Sequence, residues 1–338
     1  MNKVFLRGDG NSTIGLGHIY RLITIGQYLF NEYEVVFIIK NQPDIFLQNI
    51  IKEYRFSFIE LPEFKLIGNE ADFIVSNIAK PGSFIVLDGY QFNSSYEKIL
   101  TDFGIRVILI DDLGNRKIGA DAVLNHSPGA DEIRYQLLNN KTKLYLGTNY
   151  AILREPFLKE ALKKERLFDP YSIIFMSMGG ADPQNLTTFF LNSLVNNPHV
   201  GQINVLIGGA NKNDYSGYLN SDKIVFFKNL SPDEIIGLAK KCDLTICPSS
   251  TISIELISIG IPMLTGYFEE NQKNIYSGLI KNKLAFPMGD IMILDDEKVT
   301  ECFYKYRNTI LISEIVKNQK HLLDGKSNER ILNLFKDL

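Results

Sequence analysis

Short apolar, β-rich runs alternate along this chain with longer stretches of helical period, and the alternation starts afresh midway. In the first half the runs are Val4–Leu6, Val35–Ile39, Phe58–Leu61, Phe84–Leu87 and Val107–Ile110. In the second they are Ile173–Met176, Val205–Ile207, Ile224–Phe227, Leu244–Ile246 and Met263–Leu264. Runs apolar on both faces and separated by helices belong in parallel sheets covered on both sides. Between the first two runs, Ile19, Leu22, Ile23, Leu29 and Phe30 fall at helical spacing. Gly26 shares their stripe, and its missing side chain lets such a helix lie close to a sheet.

A single core stops growing at roughly 250–300 residues, so a chain of 338 is expected to form two domains. The charged stretch Glu160–Arg166, with Pro170 close behind, reads as the linker. The fold class is therefore α/β: two doubly wound, Rossmann-like domains over residues 1–158 and 168–338. Such domains in series bind ligands in a cleft at the carboxyl ends of their strands. The final segment, Leu311–Leu338, reads as largely helical, and its last helix is free to pack back on the first domain.

Lysine and arginine total 36 against 39 acidic residues, a net charge of −3 that gives nucleic acid no electrostatic footprint. The lysine pairs at 163–164 and 240–241 read as solvated faces. Cys242, Cys247 and Cys302 are odd in number and lack metal-ligand spacing with the four histidines. Neither a disulfide framework nor a metal site is expected. The run Val4–Leu6 is too short for a signal-peptide core, and no stretch reaches the ~18 apolar residues of a membrane span. A cytoplasmic protein is expected, with no cofactor and no membrane insertion.

Four groups of residues carry chemistry. Gly15-Leu16-Gly17-His18 follows the first strand, and Arg21 lies three residues on, on the same helical face. The glycines allow a ligand to approach the backbone, and the helix start offers free N–H groups. The positive end of that helix disfavours an imidazolium, so His18 is expected to be neutral and able to take a proton. The glycine spacing does not match a dinucleotide fingerprint. Gly179-Gly180-x-Asp182 ends the first strand of the second half, in a context that suits a pyrophosphate or ribose. Ser249-Ser250-Thr251 opens a helix with hydroxyls and N–H groups fit for phosphate. Glu255 stands one turn further, where a carboxylate can accept from both ribose hydroxyls; the alternative is a capped helix with a surface glutamate. Asn271-Gln272 follows the next strand and suits a sugar-binding rim. Last, Asp88-Gly89-Tyr90 and Asp111-Asp112 end strands of the first domain, as sugar contacts or as caps of the following turn. Adjacent side chains on a strand point apart, which argues against joint metal coordination by Asp111 and Asp112.

Taken together, Gly15-x-Gly17-His18-x-x-Arg21, Gly179-Gly180-x-Asp182, Ser249-Ser250-Thr251-x-x-x-Glu255 and Asn271-Gln272 resemble the UDP-sugar hydrolases of pseudaminic acid biosynthesis. Leu146-Gly147 and Tyr150-Ala151-Ile152-Leu153-Arg154 look like the same family's segment before its linker, and the likeness runs in order over nearly the whole chain. The resemblance implies a GT-B architecture, also similar to spore-coat polysaccharide proteins. It implies hydrolysis of UDP-2,4-diacetamido-2,4,6-trideoxy-β-L-altropyranose to the free sugar and UDP. It makes His18 the catalytic histidine and Glu255 the ribose acid. One position departs: family members often carry histidine where this chain has Gly89.

The chemistry is consistent with these residues. UDP leaves as a stable anion, so the paired carboxylates of ordinary glycosidases are not needed. A base for water and a cradle for the pyrophosphate suffice, and His18, Gly15, Gly17 and Ser249–Thr251 can supply them. Direct attack by water would invert the anomeric carbon. The alternatives are an inverting UDP-sugar glycosyltransferase of the same fold, and a nucleotide-sugar-binding protein without catalysis.

Overall fold

A computed structural model describes residues 2–9, 17–40, 48–49, 52–163 and 172–338. The chain forms two compact units, Met1–Ile152 with Ser327–Leu338, and Leu153–Lys326.

In the first unit the strands are β1 Lys3–Gly8, β2 Glu34–Ile39, β3 Ser57–Glu60, β4 Phe84–Asp88, β5 Arg106–Ile110, β6 Lys117–Ile118, β7 Ala122–Asn125, β8 Gln136–Leu137 and β9 Lys143–Leu146. Among the described residues seven of them make one parallel sheet, in the order β3-β2-β1-β4-β5-β7-β9, and β6 pairs with β8 apart from it. Alternate residues of β1 enter opposite cores. Val4 and Leu6 pack beneath the helix Gly17–Leu29, and Phe5 packs with Ile74 and Tyr96 on the other face. A side chain on Gly26 would stand 3.1 Å from the Phe56 ring and 3.2 Å from Leu6. The helix therefore lies as near the sheet as its sequence suggests. The helix Ser327–Asp337 places Ile331, Leu334 and Phe335 in the same core as Val4 and Leu6. Ser327 Oγ ties it down by donating to the Ala151 carbonyl at 2.6 Å.

The second unit repeats the topology with β10 Ile173–Met176, β11 Gln202–Ile207, β12 Ile224–Lys228, β13 Leu244–Pro248, β14 Met263–Tyr267 and β15 Phe286–Asp290. Its parallel order is β12-β11-β10-β13-β14-β15. In both sheets the order reverses beside the unit's first strand, between β1 and β4 and between β10 and β13. Doubly wound sheets bind ligands outside the carboxyl ends of such a pair.

The units divide at Ile152/Leu153, upstream of the charged stretch expected to be the linker. The helix Glu155–Ala161 belongs to the second unit, packing on the helices Pro232–Ala239 and Thr251–Ile259 through Leu158 and Ala161. Glu160 is not a loose linker charge; it accepts from Lys240 at 2.9 Å. Residues 164–171 lie outside the described residues, as do Gly15 and the apolar stretches Ile14-Gly15-Leu16 and Ile45-Phe46-Leu47. No described helix is long and apolar enough to cross a membrane.

Candidate functional site

The carboxyl ends of β1 and β4 meet closely. Gly8 stands opposite Asp88, and a side chain there would come within 2.7 Å of the Asp88 carbonyl and 2.6 Å of Leu22. The helix Gly17–Leu29 can thus set its first turn against the end of β4. That turn carries His18 and Arg21, both almost fully buried. His18 Nδ1 lies 2.6 Å from Asp88 Oδ1. Arg21 grips the same carboxylate with two prongs, Nε to Oδ2 at 2.8 Å and Nη2 to Oδ1 at 2.7 Å. Arg21 Nη2 also stands 2.9 Å from His18 Nδ1. Both nitrogens donate to one anionic oxygen, so this proximity marks convergence rather than a bond between them. It follows that Nδ1 carries the proton and Nε2 is left as the acceptor, the tautomer a general base requires.

Arg21 Nη1 continues to Asp112 Oδ2 at 3.1 Å, which also accepts from the Tyr90 hydroxyl at 3.3 Å. The Tyr90 ring meets His18 edge to face, with centroids 5.1 Å apart, and is 49% exposed. Burial would raise the Asp88 carboxyl, but Arg21 and His18 outweigh it and hold it below the usual carboxylate range. The same pairing raises Arg21 although its burial opposes this, so the guanidinium is permanently charged.

Asp88 and Arg21 were expected to touch substrate. Asp88 is 0% exposed with both oxygens taken, and Arg21 is spent on Asp88 and Asp112. Two charges buried this deeply must be paired with each other, and both stand within hydrogen-bond distance of His18 Nδ1. Asp111 is the turn-capping alternative: its oxygens accept from the N–H groups of Leu113 and Gly114, both at 3.1 Å. A side chain on Gly89 would lie 2.4 Å from Gln91 Oε1, so Gln91 fills the space a residue at 89 would need. Gln91 in turn donates to Asp9, which is paired with the fully buried Arg7.

In the second unit two helix starts differ. After β10, Gly179 has φ +88°, and a side chain on Gly179 or Gly180 would meet nothing within 4 Å. The turn lies against β11, where a side chain on Gly208 would strike the Gly180 carbonyl at 2.3 Å. Asp182, expected as a ligand contact, is instead 2% exposed and caps the helix Leu186–Leu194. Its oxygens accept from Leu186 N–H at 2.7 Å and Thr187 N–H at 3.0 Å. Helix starts leave N–H groups that need acceptors, and an aspartate supplies them from within. Two of that helix start's N–H groups are therefore already taken.

After β13, Ser250 sits at the cap of the helix Thr251–Ile259, and its hydroxyl makes no capping bond. Of its first N–H groups, that of Ser253 donates to the Ser250 carbonyl at 2.9 Å. Ser250 and Thr251 are part-exposed there, whereas Ser249 is buried with its hydroxyl 2.9 Å from Thr265 Oγ1. Glu255, one turn into the helix, is held in a bidentate pair by Arg154, Nε to Oε1 at 2.7 Å and Nη2 to Oε2 at 2.8 Å. Gln272 is mostly buried and closes its own turn, accepting from Phe268 N–H at 2.9 Å. Asn271 stands at the start of the helix Gln272–Lys281.

No protein-family model matches the chain. A UDP-2,4-diacetamido-2,4,6-trideoxy-β-L-altropyranose hydrolase of Campylobacter jejuni is 26% identical over 216 residues, 62% of this chain and 71% of its own. That is the family its motifs resemble. An uncharacterised protein of Methanocaldococcus jannaschii is 29% identical over 295 residues, 82% of this chain. The chain spans only 58% of that protein's length. Among solved structures, MurG of Acinetobacter baumannii superposes with a TM-score of 0.68 at 11% identity, over 100% of both chains. MnaA of S. aureus, solved with UDP, gives 0.64 at 13% identity over 100% of this chain and 96% of its own. The fold is GT-B, two Rossmann-like domains.

Three residues of these sites were not singled out for such roles from sequence. Asp112 closes the far side of Arg21. Arg154 clasps Glu255. His126, just past β7, is fully buried near Arg21, Asp88 and Asp112, and its Nδ1 accepts from Ile152 N–H at 3.4 Å. Burial and the Arg21 charge push its imidazole down to about 4, so it is neutral at ordinary pH. The strand Ala122–Asn125 that precedes it is not among the apolar runs read from the sequence, and no motif marks His126 as functional.

Proposed function

We propose that the chain hydrolyses a UDP-activated sugar, a diacetamido-trideoxy hexose of the kind named in its Campylobacter relative, to free sugar and UDP. The observation that carries this reading is the Asp88–His18 pair. A carboxylate on Nδ1 leaves Nε2 free to take a proton and steadies the imidazolium once it has formed. Nε2 accepts a proton from water, the water oxygen attacks the anomeric carbon, and the bond to the UDP oxygen breaks with inversion. The electron pair leaves on the diphosphate, an anion that a helix start without a side-chain cap, such as that at Ser250-Thr251, can meet. Tyr90 lines the sugar side with an exposed ring, and Glu255 accepts from the ribose hydroxyls.

The test is incubation with a panel of UDP-sugars that includes UDP-2,4-diacetamido-2,4,6-trideoxy-β-L-altropyranose, without acceptor and in excess EDTA, following UDP release. Turnover of the diacetamido substrate is the expected result. UDP release that begins only when an acceptor is added would make the chain a transferase, with His18 deprotonating an acceptor hydroxyl.

A further inference from the structure

The ribose acid does not stand alone. Arg154 reaches Glu255 from just after the junction of the two units, and its guanidinium also lies 5.1 Å from the centroid of the buried Phe157 ring. Two parallel bonds at 2.7 and 2.8 Å fix the plane of the carboxylate as well as its position. A carboxylate has about four lone-pair sites, and a two-pronged arginine fills one on each oxygen. Each oxygen keeps one site, enough for the two hydroxyls of a vicinal diol. Glu255 is itself almost fully buried, so without its partner the charge would be costly to keep in place.

We propose that Arg154 is a positioning residue that presents Glu255 to a ribose 2′,3′-diol, so that the second unit selects ribonucleoside over 2′-deoxyribonucleoside diphosphates. This rests on the reading of the second unit as the UDP-binding half. A 2′-deoxy ligand leaves one lone pair of a buried carboxylate without a donor. Charge-assisted hydrogen bonds of this kind correspond to roughly 10–150-fold in affinity.

The experiment is calorimetric titration of UDP and of 2′-deoxy-UDP into the full chain and into Arg154→Met and Arg154→Lys. The wild type should prefer UDP by about 10-fold or more. Arg154→Met should bring that ratio close to one, through weaker UDP binding with little change for the deoxy ligand. Lysine keeps the charge but lacks the fork, so Arg154→Lys should lower the ratio as well. Should the methionine variant not fold, the lysine variant decides. A wild-type ratio retained in either variant overturns the proposal, as does an equal loss for both ligands, which would put Arg154 on the phosphates. A wild type that binds neither nucleotide defeats the UDP-sugar reading itself, and this proposal with it.

Discussion

His18 is useful only in one tautomer, and Asp88 fixes which. His18→Asn should leave UDP affinity nearly unchanged and lower kcat by about 10²–10⁴-fold, the usual worth of a general base. Asp88→Asn should lower kcat too, since an amide can offer its own N–H to Nδ1 and leave Nε2 protonated. Steady-state kinetics beside UDP titration checks both, and a fall of less than about tenfold in the histidine variant would remove it from the base role. His126 gives a separate prediction in pH. Its folded value is about 4 against an ordinary 6.5, so below 6.5 the unfolded chain binds the proton first. Stability present above 6.5 is lost as pH falls toward 4, by about 3 kcal/mol in all. Asp88, also held low when folded, acts with the same sign at still lower pH. Denaturant unfolding from pH 7 to 4 should show a weaker pH slope in His126→Phe than in the wild type; equal slopes would mean that His126 is not held neutral.

At the scale of elements, the helix starts divide the labour of the second unit. Leu186–Leu194 is capped by its own aspartate, and Thr251–Ile259 has no side-chain cap. Asp182→Ala should therefore cost roughly 0.5–2 kcal/mol of stability, the range for losing a cap, and leave UDP affinity unchanged. Thermal unfolding and UDP titration on one preparation read both effects. A drop in affinity without a drop in stability would return Asp182 to the ligand. The cap was hard to read in the sequence because a strand-end aspartate that meets a ligand and one that caps a helix look alike. What separates them is whether backbone N–H groups already fill its oxygens.

For the whole molecule, the return of the chain to its first unit is the feature with the largest consequence. Removing residues 327–338 would expose the pocket now filled by Ile331, Leu334 and Phe335. At about 1.5–3 kcal/mol for each buried side chain, the loss comes to roughly 5–9 kcal/mol, comparable to the whole stability of a domain. The truncated chain should lose the unfolding transition of the first unit or become insoluble; a truncation that melts like the full chain would mean the helix contributes no core.

The sequence by itself determined the class of fold, because apolar runs such as Val35–Ile39 and Ile173–Met176 can be buried only in covered parallel sheets. It also singled out strand ends followed by glycine, serine or histidine, since these are local patterns. β7, β9 and β15 escaped it. Lys143–Leu146 is an edge strand that mixes charge with apolar residues, so it has no pattern of its own. Only the tertiary structure decided which polar side chains face one another. Asp88 with Arg21 and Glu255 with Arg154 are pairings of charge across the fold. Burial forces such groups to find partners, and the partners lie as far apart in the chain as 101 residues, where no local pattern can name them.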